Sequence, residues 1–95
     1  DLREERGAEG PAPVSRLADG SYIIDGMTTV RDLRDRAGLD VPESTHYQTV
    51  AGLLLHELKT MPRLGMTVRV GGYVWTVIEM TGPRIARVRC EPVPA

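Results

Sequence analysis

Between residues 66 and 90 the chain sets its apolar positions with a period of two. Met66, Val68 and Val70 alternate with Thr67 and Arg69, the mark of a half-buried strand. Gly71-Gly72 follows, a two-residue hairpin signal. "YVWTVIEM" is then apolar on both faces for most of its length, which predicts a central strand. "TGP" turns the chain again, and "RIARVRC" predicts a last strand with Ala86, Val88 and Cys90 on one face and Arg87 and Arg89 on the other. Ile85 is out of phase with that face, and a bulge beside it reconciles the pattern. Upstream, "SYIID" is a short strand of β-formers between two Asp-Gly turn signals.

Two stretches carry the helical period instead. "TTVRDLRDRAG" places Val30, Leu33 and Ala37 on one face, with Thr28 or Thr29 as cap and Gly38 as stop. "TVAGLLLHELKTMP" predicts a second helix capped by Thr49 and ended by Pro62. Its main stripe is Val50, Leu54, Leu58 and Met61, widened by Ala51, Leu53 and Leu55, with Gln48, Gly52, His56 and Lys59 opposite. Gly52 in a helix interior costs about 1 kcal/mol relative to Ala and marks a place where another backbone passes close. The intervening "LDVPESTHYQ" reads as a loop.

The order strand–helix–helix–strand–strand–strand predicts an α+β fold. It is a small antiparallel sheet of about four strands, arranged as a meander, with two helices on one face. Residues 1–16 have no periodicity and read as a flexible linker; residues 17–91 are the folded domain; residues 92–95, with Pro92 and Pro94, form a tail. The start at Asp1 suggests a piece of a longer protein.

Composition narrows the classes. The 95 residues suffice for one small core, and the formal net charge of −1 gives no electrostatic reason to expect a nucleic-acid partner. No apolar run approaches the roughly 20 residues of a membrane-spanning helix. The single Cys90 excludes an internal disulfide.

Candidate chemistry is sparse. Asp19 and Asp25 flank one strand, which puts them about 20 Å apart if extended, too far for paired acid–base work or a shared metal. They read as turn punctuation. His46 and His56 are the only histidines, and their separation in sequence lacks the short spacing of zinc ligands. Ser15, Ser21 and Ser44 have no nucleophile-elbow context. Cys90 reads as a packed thiol. Arg69, Arg84, Arg87 and Arg89 form a candidate cationic sheet face near Tyr73 and Trp75, suited to a nucleotide or to an acidic neighbour, or simply solvated. The last strand, "RIARVRC", is the expected free edge, and pairing of that edge across a two-fold axis predicts a weak homodimer.

Four separated motifs, in order, resemble the CorC/HlyC transporter-associated domain. They are the D-G-s-y-x-x-D-G opening (Asp19, Gly20, Asp25, Gly26), the T-x-x-G of the second helix (Thr49, Gly52), the P-x-x-G after it (Pro62, Gly65), and "VIEM" followed by a turn and "RIARV". The resemblance covers nearly all of residues 18–90 and departs at "TGP", where a polar turn is more usual. It implies a non-enzymatic C-terminal module on the cytoplasmic side of a bacterial membrane protein, following a transmembrane region and a pair of CBS domains, in proteins tied to magnesium and cobalt efflux or named haemolysin-like. The implied shape is similar to a subdomain of PCMH-type flavin-binding oxidases. No catalytic residue, metal ligand or cofactor carries over; the matching positions are turn aspartates, glycines and caps. The alternative is a small-ligand module for an adenine nucleotide or a flavin-like molecule.

Overall fold

The computed structural model describes residues 13–93. Five strands and two helical segments form it. The strands are β1 (Val14–Arg16), β2 (Tyr22–Asp25), β3 (Thr67–Val70), β4 (Tyr73–Thr81) and β5 (Arg84–Pro92). They make one antiparallel sheet in the order β1-β2-β5-β4-β3. The helices are α1, an α-turn at Val30–Asp32 that runs into a π-turn at Leu33–Ala37, and α2 (Val50–Leu58). One face of the sheet, with Ile24, Trp75, Val77, Val88 and Cys90, packs against Val30 and Leu33 of α1 and Val50, Leu53 and Leu54 of α2 to form a single core.

The hairpin between β3 and β4 forms as expected. Val70 pairs with Tyr73 across Gly71 and Gly72, whose φ of 66° and 84° match a turn that needs two left-handed residues. The bulge is present and double. The β4–β5 ladder gains one residue in β4 between Val77 and Glu79, then one in β5 between Arg87 and Ile85. That second irregularity brings Ile85 into the core beside Val88 and Cys90, where the alternation had placed Ala86.

Several expectations change. The sheet has five strands rather than about four, because Val14–Arg16, assigned to the linker, pairs with Tyr22–Ile24 as β1. The rest of that linker, residues 1–12, lies outside the described residues. The last strand is not an edge. β5 is central, held by β4 on one side and by β2 on the other through Tyr22↔Cys90 and Ile24↔Val88. The ladder also continues to Pro92, opposite Tyr73, and Val93 N–H donates to the Gly72 carbonyl at 2.9 Å.

The second helix is shorter than its apolar stripe. Thr49 caps it, its hydroxyl accepting from Gly52 N–H at 3.1 Å. Lys59 then turns left-handed at φ 59° and closes the helix by donating to the Leu55 carbonyl, so the stop comes before Pro62. Leu53 and Leu54 are fully buried, Leu58 is half-buried, and Met61 is 67% exposed. The stripe is therefore Val50, Leu53 and Leu54, not one that extends to Met61. The loop before it also enters the core through Leu39 and Val41, held down by a 2.7 Å hydrogen bond from Arg34 Nη1 to the Val41 carbonyl.

The helix starts are tied to the sheet and to each other. Thr29 caps α1 by accepting from Asp32 N–H at 3.0 Å. Val30 N–H donates to the Gln48 carbonyl and Val50 N–H to the Thr28 carbonyl, so both caps lie side by side in a short antiparallel bridge. Among the described residues, no helix is long and apolar enough to cross a membrane.

Candidate functional site

The sheet face away from the helices carries Arg87 and Arg89, and Asp19 meets it from a turn. Asp19 and Asp25 stand at the two ends of β2 and each closes its own turn. Asp19 Oδ1 accepts from Ser21 N–H at 2.9 Å and from Ser21 Oγ at 2.6 Å. These bonds, with a smaller contribution from the Arg89 guanidinium, hold its carboxyl below the usual range. Asp25 Oδ1 accepts from Met27 N–H at 2.8 Å. The fold does not bring the two carboxylates together, and the punctuation reading fits their geometry.

The arginines of that face meet carboxylates instead of forming a bare cationic patch. Arg87 Nε donates to Glu79 at 2.8 Å, across the bulge. Arg89 Nη2 donates to Asp19 Oδ2 at 2.7 Å. Glu91 also lies 2.9 Å from Arg89 Nε, near enough for charge attraction but off the N–H direction, so this buried N–H has no hydrogen-bond acceptor. Arg69 is on edge strand β3 and Arg84 at the start of β5. Trp75 is fully buried on the core side, its indole N–H donating to the Val70 carbonyl at 3.1 Å, with Tyr73 edge-on at 6.1 Å. It is no stacking platform for a base. The arginine–aromatic pairing that motivated the nucleotide alternative is thus split between the two faces of the sheet.

Cys90 is buried in the core, and burial first, then Glu91, pushes its thiol up to about 12. It is a packing group, with no thiolate at neutral pH. Among the described residues no three His, Cys, Asp or Glu side chains converge as a metal cluster.

One arrangement was invisible in the sequence. His46, in the loop, stacks on His56, on α2, with ring centroids 5.0 Å apart and planes 6° from parallel. Tyr47 tilts against His56 at 5.7 Å, and its hydroxyl donates to the Pro42 carbonyl at 3.0 Å. Burial, then the Glu57 charge, raises the Tyr47 phenol. Gly52 leaves room for this contact, since a Cβ there would crowd Tyr47 Cβ at 3.3 Å. The close approach expected at Gly52 is therefore a loop side chain crossing the first turn of α2. Gly26 serves a tighter approach: an added Cβ would overlap the carbonyl oxygen of Ile85.

Two open cavities flank α1. One, of about 450 Å³, lies between β1, β2 and α1 and includes Val14, Arg16, Tyr22, Asp32 and Arg36. The other, of about 390 Å³, lies between α1 and the loop before α2 and includes Arg31, Glu43, Tyr47 and Gln48.

Residues 15–94 match the CorC_HlyC family, described as the transporter associated domain. The chain belongs to the CorC/HlyC transporter-associated domain family. Among curated relatives, it is similar to the UPF0053 inner membrane protein YfjD of Escherichia coli, at 35% identity over 75 residues covering 79% of this chain and 17% of that protein. It is also similar to the polyamine export protein of Escherichia coli, at 29% identity over 68 residues covering 70% of this chain and 15% of that protein. The chain thus spans under a fifth of the length of either relative. Among solved structures, the transporter associated domain of a CBS domain protein from Porphyromonas gingivalis superposes with TM-score 0.73 and 29% identity, covering 87% of this chain and 100% of that one. A transporter-associated region of a putative Mg2+ and Co2+ transporter (CorC) from Neisseria meningitidis superposes with TM-score 0.77 at 23% identity, covering 86% of this chain and 100% of that one.

In the transporter-associated domain, the motif positions other than Pro62 each have a local structural task. Asp19 and Asp25 close turns, Gly20 and Gly65 take φ of 90° and 87°, and Gly26 and Gly52 admit neighbours. Thr49 caps α2. Pro62 lies in the segment between α2 and β3, beyond the helix stop it was expected to impose.

Proposed function

We propose that this domain is a non-enzymatic regulatory or interaction module on the cytoplasmic side of a membrane ion transporter of the magnesium and cobalt efflux type. The observation that carries the reading is that the aspartates, glycines and Thr49 of the family pattern act as turns, caps and points of close approach. A domain recognised by its scaffold contributes a shape and a surface. Its relatives support a membrane setting: one is an inner membrane protein and another a polyamine export protein. A structural neighbour is a region of a putative Mg2+ and Co2+ transporter. On this reading the partners are the other parts of the parent protein, the CBS pair and the transmembrane region, with no direct membrane insertion by the domain itself.

The test is efflux of magnesium, cobalt and a polyamine from cells expressing the parent protein with and without the domain. The reading expects altered efflux of one of the metal ions on deletion, with the parent still present in the membrane. Altered polyamine efflux alone would redirect the substrate, and unchanged efflux of all three would remove the regulatory role.

A further inference from the structure

We infer that the outer edge of β3 is a self-association surface, joining two copies of this chain through antiparallel β3–β3 pairing. Sheet edges present unpaired backbone groups, and the fold has two of them, β1 and β3. β1 is three residues long, and a very short edge strand offers little to pair with. β3 is longer, and among the described residues no strand pairs with its outer side.

The register follows from the hairpin. In a two-residue hairpin the closing pair, Val70↔Tyr73, exchanges hydrogen bonds, and such pairs recur every second residue. Val70 and Val68 therefore direct their backbone groups to β4, while Met66, just before the strand, gives β4 only its carbonyl, which accepts from Val77 N–H at 3.0 Å, its own N–H donating to the Arg63 carbonyl. Thr67 and Arg69 direct theirs outward. Two copies related by a two-fold axis satisfy both residues at once when Thr67 pairs with the partner's Arg69 and Arg69 with the partner's Thr67. Val68 then faces the partner's Val68 as a non-hydrogen-bonded pair. Met66 faces the partner's Val70.

This register is chemically self-consistent. The half-buried Met66, Val68 and Val70 meet apolar residues on the helix side. Arg69 meets a threonine on the open side, so no like charges oppose directly. A net charge of −1 opposes the union only weakly. The surface differs from the β5 edge suggested by the sequence, which the fold places in mid-sheet.

Crosslinking and sedimentation test the inference on the 95-residue chain. A non-hydrogen-bonded antiparallel pair sets Cα atoms about 4.5 Å apart, within disulfide reach. Val68→Cys should therefore form a covalent dimer on mild oxidation. Arg69→Cys, whose copies would stand about 8 Å apart across the axis, should crosslink at least about tenfold more slowly. Thr67→Pro removes an outward N–H without touching the β3–β4 ladder, and should weaken the dimer seen by sedimentation at least about tenfold. Its melting temperature in dilute solution should stay near that of the unaltered chain. A chain that stays monomeric at millimolar concentration, with Val68→Cys crosslinking no faster than Arg69→Cys, overturns the proposal. So does a dimer that survives Thr67→Pro unchanged.

Discussion

Replacing Gly26 by alanine adds one methyl group where β2 ends and the chain turns toward α1. Gly26 has no positive φ, so alanine suits its backbone, and the cost is steric. The new Cβ would overlap the Ile85 carbonyl oxygen and would lie 3.3 Å from Ala51 Cβ. A backbone carbonyl cannot rotate aside as a side-chain tip can. Relief requires β5 to move at its bulge or Gly26 to move away from it. Either movement strains two bonds of 2.9 Å, from Gly26 N–H to the Ala86 carbonyl and from Ala51 N–H to the Gly26 carbonyl. Overpacking costs about 1–3 kcal/mol, and each of the two weakened hydrogen bonds adds about 1 kcal/mol, so Gly26→Ala should destabilise by about 3–5 kcal/mol. A domain of this size has roughly 4–12 kcal/mol in total, so the midpoint of urea unfolding should fall sharply at unchanged m. Gly20→Ala is the control: nothing lies within 4 Å of its added Cβ, so the penalty there is the φ of 90° alone. That cost should be about 1 kcal/mol. If Gly26→Ala unfolded within about 0.5 kcal/mol of the unaltered chain, the close approach of β5 to the β2 turn would be wrong.

Three further outcomes follow from the same structure. Leu54→Ala, fully buried on α2, should cost about 2–5 kcal/mol by chemical denaturation, with half-buried Leu58→Ala below it and exposed Met61→Ala near zero. Asp19 has a folded carboxyl lowered below its unfolded value, so its stabilising contribution is present above the unfolded value and is lost as pH falls through the folded one; Asp19→Asn should flatten the acid side of a stability–pH curve, and an identical curve would remove that assignment. Cys90, with its thiol pushed up to about 12, should be inert to a thiol reagent at neutral pH in the folded chain and react at once in urea; fast reaction in the folded state would refute its burial.

Much of the fold was legible because its signals are local. The Gly71-Gly72 turn, the Thr29 and Thr49 caps, and the Asp19 and Asp25 turns each depend on residues within a few positions of one another. β1 was not legible, since "VSR" has no alternation of its own and is a strand only because β2 offers an edge. The central place of β5 depends on Tyr22 meeting Cys90, a pairing of distant residues that no period records. The end of α2 was misplaced because Met61 continues the apolar stripe beyond the point where Lys59 turns left-handed. At the candidate surface, the arginines were visible but their carboxylates were not, because Glu79 reaches Arg87 across the sheet and Asp19 reaches Arg89 from a turn. The His46–His56 stack joins a loop to a helix and leaves no trace in spacing.

The central claim, that the motif aspartates shape this domain and carry no chemistry of their own, is tested most directly by ion efflux from cells expressing the parent protein with Asp19→Asn and Asp25→Asn together. Asparagine keeps the oxygen that closes each turn while removing the charge. The account predicts efflux close to that of the unaltered parent, with the domain still folded by its melting temperature. Efflux abolished in a domain that remains folded would contradict it and give those carboxylates a role in handling the ion.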